Sequence, residues 1–373
     1  MHEHQSILLL GFITAFFVVL FTMPSLIKVA RMKHLVDEPS EARKLHARSV
    51  PTIGGIIIFA SIIFSYALYF PTHWSLKFTD VDQARDVFKS FRDATTDFKY
   101  VLAAMVLLFF IGVKDDIVGF SPVKKLLGHF VVGAILVLMA DIRIRDMHGI
   151  FGIYELPFAA SVIFSFFVYI VLVNAFNLID GVDGLAGGVG LIASMAFGTW
   201  LYLCGYDMAL TLLAFTLGGA LLGFLVFNFH PARVFMGDSG SLIVGAILAV
   251  LAMKVVDHDT RHLPMQLQQL PTPIFVMSVL AYPLVDTLRV FVVRMARGTS
   301  PFAADSNHIH HRLLALGLGH RGTTLVIYLY VLAIIGLSLV TRKLHPNIGL
   351  MVLGTSAFAI AMLPFVWPKR REA

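Results

Sequence analysis

The feature that most constrains this 373-residue chain is a succession of apolar blocks with almost no charge inside them. Each is about as long as a helix needs to cross a ~30 Å hydrocarbon layer. Composition agrees: charged residues make up 14% and mean hydropathy is +0.82, against a usual charged share of roughly 25%. A water-soluble globule of this length could not cover its surface with so few charges. Disorder, coiled coil and collagen-like repeats are excluded by the same composition.

The blocks predict an all-α polytopic integral membrane protein with about eleven transmembrane helices. Their approximate limits are 6–28, 50–70, 99–114, 124–141, 157–175, 186–204, 208–228, 239–256, 271–294, 323–341 and 347–367. No fixed-period repeat and no low-complexity linker divides the chain, so residues 1–373 read as one membrane domain. The start, Met-His-Glu-His-Gln, lacks the basic region of a secretory signal, and the first block reads as a retained span.

The net charge of +6 would raise nucleic acid as a partner in a soluble domain. Here Lys and Arg lie mostly in short loops, which points to topology and anionic lipid, with no nucleic acid partner. With the N-terminus outside and the C-terminus cytoplasmic, most of the 29 Lys and Arg fall inside. The one cysteine, Cys204, rules out an intrachain disulfide and a cysteine-cluster metal site. The mixed-charge outer segment 71–99 carries no motif.

Four polar clusters all fall on the inner side. Polar groups near membrane depth are costly and mark function, so the sorting predicts one cytosol-facing site. The first is Asp115-Asp116, at the end of the third block. Adjacent carboxylates at a helix C-terminus repel each other and the helix dipole. A divalent cation, Lys114, Lys124 or Lys125 would offset them; a solvated acidic turn is the plainer alternative.

The second cluster runs Asn174-Ala-Phe-Asn177-Leu-Ile-Asp180-Gly-Val-Asp183-Gly. Spacings of three put Asn174, Asn177 and Asp180 on one helix face, aimed at a glycine-rich loop whose amides could approach phosphate. Tight helix packing is the alternative use of those glycines.

The third runs Asn228-Phe-His-Pro-Ala-Arg-Val-Phe235-Met-Gly-Asp238-Ser-Gly-Ser. Asp238 or Ser239 could cap the eighth helix, and a carboxylate beside exposed amides could also hold Mg²⁺ against phosphate. Phe235 could stack on a base or simply pack.

The fourth is Asn307-His308-Ile-His310-His311-Arg312, in the inner loop 295–322. Three histidines suggest zinc, but no further ligand set is evident in the sequence. Imidazoles with Arg312 suit a sugar-phosphate anion. Asp286, three residues before Arg289, reads as half of a pair that orients its helix.

In this order and on this side, the clusters resemble the polyprenyl-phosphate N-acetylhexosamine-1-phosphate transferase family, glycosyltransferase family 4, from about Arg43 to Arg321. The His308-Ile-His-His form is most similar to the WecA-type branch, the undecaprenyl-phosphate GlcNAc-1-phosphate transferases. The muramyl-pentapeptide branch has three consecutive histidines there. The resemblance implies transfer of a sugar 1-phosphate from UDP-GlcNAc to undecaprenyl phosphate, with release of UMP. That would be the first membrane step of a cell-envelope polysaccharide, such as lipopolysaccharide, at the cytoplasmic face of a bacterial inner membrane. Mg²⁺ would be the cofactor, with Mn²⁺ able to replace it, and a homodimer is compatible with the family.

Residue by residue, the resemblance assigns Asp238 to the metal, with Asn177 as a further contact. Asp115 and Asp116 fall near the lipid phosphate and metal, and Asp180 and Asp183 on the acidic loop of the same site. Asn228 and Phe235 match nucleotide contacts, Lys125 a phosphate-binding lysine, and Thr52 a first-loop threonine. Asn174, His308, His310, His311 and Arg312 complete the substrate set. The lysine that the muramyl branch carries five residues before Thr52 is Ala47 here, leaving Arg48 or Lys44 as substitutes. A muramyl-pentapeptide transferase, or a transporter built on broken helices, are the alternatives.

Overall fold

A computed structural model describes residues 2–33, 36–37, 50–70, 81–205, 207–258, 260–298 and 308–366. Arg43, Lys44, Ala47, Arg48 and Asn307 lie outside these. The architecture is α-helical: α1 (His2–Met32), α2 (Gly55–Tyr69), α3 (Val81–Val118), α4 (Pro122–Ala134), α5 (Phe158–Leu178), α6 (Leu185–Cys204), α7 (Met208–Asn228) and α8 (Asp238–Asp257). After them come α9 (Met265–Gln268), α10 (Thr272–Val279), α11 (Ala281–Ala296), α12 (Ile309–Ala315), α13 (Gly319–Val340) and α14 (Pro346–Val366). The described strands, Val36–Asp37 and Val50–Pro51, form one short antiparallel pair.

All eleven apolar blocks are helical, and among the described residues eight helices are long and apolar enough to cross a membrane alone. The block at 271–294, expected as one straight span, is broken: α10 and α11 meet at Leu280 with a 76° bend. Pro283, in the first turn of α11, needs no intrahelical donor there and marks the restart.

The helix α8 occupies the middle. Its sequence is small and aliphatic all round, and a helix apolar on every side is one that neighbours enclose. It packs against α2, α3, α5, α6 and α10, and nearly all its residues from Ser239 to Val256 are buried. Lipid takes the opposite pattern. In α4, Val123, Leu127, Phe130 and Val131 stay exposed while His129 and Val132 turn inward.

Glycines let the start of α8 sit this deep. A Cβ on Gly55 would come within 2.0 Å of Gly240 N, and one on Gly112 within 2.5 Å of Ser239 Cα. Backbone thus meets backbone where α2 and α3 flank the first turn of α8. The first residue of that turn, Asp238, is carried in among α2, α3 and α5.

Candidate active site

Two separated motifs zip together to shape the approach to α8. Phe235 N donates to Pro51 O at 2.7 Å, Gly54 N to Phe235 O at 3.0 Å, and Gly55 N to Met236 O at 2.9 Å. Thr52 is thereby set against Gly237, whose φ of +68° favours glycine. A Cβ on Gly237 would lie 1.9 Å from the Thr52 carbonyl.

The first amides of α8 have no partners within their own helix. The sequence offered Asp238 or Ser239 as the cap, but the cap position is Gly237, which has no capping side chain. The acceptors come instead from distant chain. Asp116 takes Asp238 N–H at 2.7 Å on one oxygen and Ser239 N–H at 3.0 Å on the other. Asp180 takes Gly237 N–H at 3.0 Å. Two carboxylates at a helix N-terminus are favoured by its positive pole.

With its amide capped by Asp116, Asp238 turns its side chain to the other neighbours. Asn177 donates to it at 2.8 Å and to Ser241 Oγ at 2.8 Å. Lys125 joins Asp238 to Asp115, its ammonium 3.0 Å from the Asp115 carboxylate. Phe120 N also donates to Asp115, at 2.5 Å. The adjacent aspartates therefore divide, Asp116 onto backbone amides and Asp115 onto Lys125.

Asp115 and Asp238 thus share the Lys125 ammonium, while Asp116 and Asp180 meet the amides at the start of α8. Burial pushes the Asp180 carboxyl up to about 7, with a smaller push from the nearby Asp238 and Asp116 charges, despite the Gly237 hydrogen bond. Four carboxylates and the Asn177 amide make an oxygen-rich donor set without thiolate or imidazole, the kind that Mg²⁺ or Mn²⁺ takes.

Several residues expected in the site hold its walls. Asn228 is buried and spends its amide on backbone, accepting from Gly184 N at 3.0 Å and donating to Val234 O at 2.9 Å. Asn174 donates to Ile170 O of its own helix, so the predicted face delivers only Asn177 directly to Asp238; Asp180 lies beyond the end of α5. Asp183, also buried, contacts His230 Nδ1 at 2.6 Å and accepts from Ala232 N at 3.0 Å, tying the glycine loop to the segment after α7. Phe235 is half-buried beside Thr52.

The histidine run departs most from the expectation of a polar loop. His308 stands at the N-cap position of the short helix α12 without a capping side-chain bond, and both His308 and His310 are buried. Asp286 engages His308 Nδ1 at 2.7 Å and accepts Ile309 N–H at 2.7 Å. Tyr282 OH meets His310 Nδ1 at 2.9 Å. Asp286 is therefore the residue that organises the histidines, and Arg289, its expected partner, lies over the Phe365 ring. It is also the third member that the sequence did not reveal for a metal-type group: ligand atoms of Asp286, His308 and His310 all lie within 4.8 Å of one another. The His310 ring reaches toward Gly181, where a Cβ would be 3.5 Å from Nε2, so α12 does abut the loop after Asp180. His311 and Arg312 are less buried, and Arg312 donates to Pro364 O at 3.0 Å.

Carboxylates, an amide and a lysine thus gather at the first turn of the central helix of a helical membrane protein. Comparison with known proteins supplies the class. Residues 98–256 match the model of glycosyl transferase family 4. The decaprenyl-phosphate N-acetylglucosaminephosphotransferase of Mycobacterium tuberculosis (strain H37Rv) is 30% identical over 346 residues, covering 88% of this chain and 80% of the relative. Its namesake in Mycobacterium leprae is 32% identical over 295 residues, 73% and 71% of the two chains. The undecaprenyl-phosphate alpha-N-acetylglucosaminyl 1-phosphate transferase of Escherichia coli (strain K12) is 28% identical over 342 residues, 89% and 83%. The chain belongs to glycosyl transferase family 4, in the branch of the polyprenyl-phosphate N-acetylglucosamine-1-phosphate transferases. It is a membrane-bound sugar-1-phosphate transferase.

Proposed function

We propose that the protein transfers N-acetylglucosamine 1-phosphate from UDP-GlcNAc to undecaprenyl phosphate, giving undecaprenyl-diphosphate-GlcNAc and UMP. The observation that carries this reading is the convergence of Asp238, Asn177, Asp180, Asp115, Asp116 and Lys125 on the first turn of α8. The relatives named above act on polyprenyl phosphates with N-acetylglucosamine phosphate. With α2, the apolar part of α3 and the bent pair α10–α11 counted beside the eight long helices, the chain would cross eleven times and leave its termini on opposite sides; the distribution of Lys and Arg supports an N-terminus outside and a C-terminus in the cytoplasm. The basic loops then face inward, as expected in a bacterial inner membrane.

Mg²⁺, with Mn²⁺ as substitute, would be held by Asp238 and Asn177 with the neighbouring carboxylates, and would offset the charge of the two phosphates. The other contributions belong to the chain. Lys125 supplies a fixed ammonium for the diphosphate as charge builds on the leaving UMP. The acceptor monoester, with a second pKa of about 6, is largely dianionic at pH 7 and needs no strong base. One of its oxygens bonds to the β-phosphorus while the bond from that phosphorus to the bridging oxygen breaks, and UMP departs. Asp115 takes any residual proton. Asp116 and Asp180 hold the first turn of α8, and with it Asp238, in place.

Purified protein in lipid nanodiscs, given undecaprenyl phosphate and radiolabelled UDP-GlcNAc, should form a labelled lipid and release UMP. Turnover only with UDP-MurNAc-pentapeptide would identify the muramyl reaction instead. Movement of lipid without bond formation would identify a transporter.

A further inference from the structure

Among the described residues, two groups of three side chains bring metal-type ligand atoms within 4.8 Å of one another. One is Asp286, His308 and His310, all buried. The other is Asp183, His230 and His320, and it opens to solvent. Its His230 side chain is 39% exposed, above an Asp183 carboxylate that is 1% exposed. Three remote segments build it: the glycine loop after α5, the segment after α7 and the first turn of α13.

The Asp183 carboxylate is held in place from two sides. One oxygen accepts from Ala232 N at 3.0 Å, and Thr324 of α13 donates to the Asp183 main-chain carbonyl at 2.8 Å. His230 Nδ1 meets that same carboxylate oxygen at 2.6 Å, and the His230 carbonyl takes the Arg321 Nε–H at 3.0 Å. His320 Nδ1 faces the other oxygen at 3.5 Å, longer than the roughly 2.7–3.2 Å of an N–H···O bond. Two ligand atoms on one tetrahedral Zn²⁺, each bonded at about 2.0–2.2 Å, stand ~3.3 Å apart. The Asp183–His320 separation is thus close to what a shared ion sets. The two rings lie 15° from parallel with centroids 5.0 Å apart, so one ion can reach both nitrogens only if the exposed ring turns. For His230 that motion is about χ2, a torsion with broad wells. Its Nδ1 lone pair then goes to the metal and the ring proton passes to Nε2.

The donor set decides which ion. Two imidazoles and one carboxylate suit Zn²⁺, whereas Mg²⁺ prefers oxygen ligands such as those at the start of α8. The Ala232 amide and the Arg321 guanidinium are the outer partners that hold such ligands in orientation. We propose that Asp183, His230 and His320 form a second metal site, one that takes Zn²⁺, leaves a fourth position to water and ties the start of α13 to the glycine loop.

The test uses the untagged full chain in detergent, stripped with a chelator and returned to buffer with excess Mg²⁺ to fill the oxygen-rich set. Zn²⁺ should then bind at one equivalent per chain by calorimetry. Co²⁺ in its place should give visible ligand-field bands that added Zn²⁺ abolishes. His230→Gln and His320→Gln should each weaken Zn²⁺ binding by about 100-fold or more, beyond the loss of an outer partner, while their metal-free melting temperatures stay near wild type. At a Zn²⁺ concentration that saturates the wild type, only the wild type should gain thermal stability. Zinc-edge X-ray absorption on the wild type needs no variant and should count two imidazoles beside oxygen ligands. No retained Zn²⁺, displacement of Zn²⁺ by Mg²⁺, equal affinity in both glutamine variants or any other imidazole count would overturn the proposal. So would Co²⁺ bands lost in His308→Ala but kept in His320→Gln, which would move the ion to Asp286.

Discussion

Replacing Asp116 should separate stability from chemistry within the Asp115-Asp116 pair. Asp116→Ala strips two amides at the N-terminus of α8 of their acceptors, Asp238 N at 2.7 Å and Ser239 N at 3.0 Å. Hydrogen bonds to a charged group contribute ~1.5–3 kcal/mol each, whereas N-cap replacements cost ~0.5–2 kcal/mol. Asp116 is only partly buried, so water recovers part of the loss and the net cost should be about 2–4 kcal/mol. Asp116→Asn keeps one acceptor oxygen and should recover about half of that. Asp115→Ala leaves α8 capped and should cost only ~1 kcal/mol, the Phe120 N–H bond. The single cysteine, Cys204, is buried, so a thiol-reactive dye reports unfolding in detergent without engineering. For a chain of this length the Asp116→Ala midpoint should fall by about 3–5 °C, while Asp115→Ala loses transfer but melts close to wild type. If Asp116→Ala melts with the wild type and only activity is lost, Asp116 is a reacting group or metal ligand and the capping argument is wrong.

Asp238→Asn should remain folded yet show almost no transfer at any Mg²⁺ concentration, because the donor set loses a charged oxygen; full activity across a Mg²⁺ titration would remove Asp238 from the site. Lys125→Met should raise the affinity of substrate-free protein for Mn²⁺, read by paramagnetic resonance, while turnover falls; unchanged Mn²⁺ affinity would mean the ammonium does not oppose a cation there. The Asp180 carboxyl lies near 7, above its unfolded value of 3.8. Its contribution to stability is thus full below pH 4 and lost as pH rises through 7, so metal-free protein should soften over that window, with Mg²⁺ restoring stability at pH 8; a pH-independent melting curve with and without Mg²⁺ would contradict this. Asp286→Ala should lower the melting temperature and displace α12, and His308→Ala should do the same; if both variants melt normally and lose only UDP-GlcNAc binding, the histidines read the sugar directly.

Much of this was legible in the sequence because lipid leaves so few options. Every apolar block is helical, one of them broken at Leu280, since only internal hydrogen bonding satisfies a backbone at that depth. Asp238 and Asn177 stood out because carboxylates and amides near a membrane interface have few structural uses. Sequence spacing failed where partners come from far along the chain. Nothing local says that Asp116 would cap a helix 122 residues later, or that Asp286 would take His308 and leave Arg289 over an aromatic ring. The family resemblance assigned Asn228 to the nucleotide, and nothing in its local sequence announces the two backbone groups that hold its side chain at the end of α7. The sequence alone determined a helical membrane protein with its chemistry on one face, because hydrophobicity and charge are properties of segments. Which carboxylates hold the backbone and which are left for the substrate was decided only by tertiary structure, because a capping bond depends on where a distant helix begins.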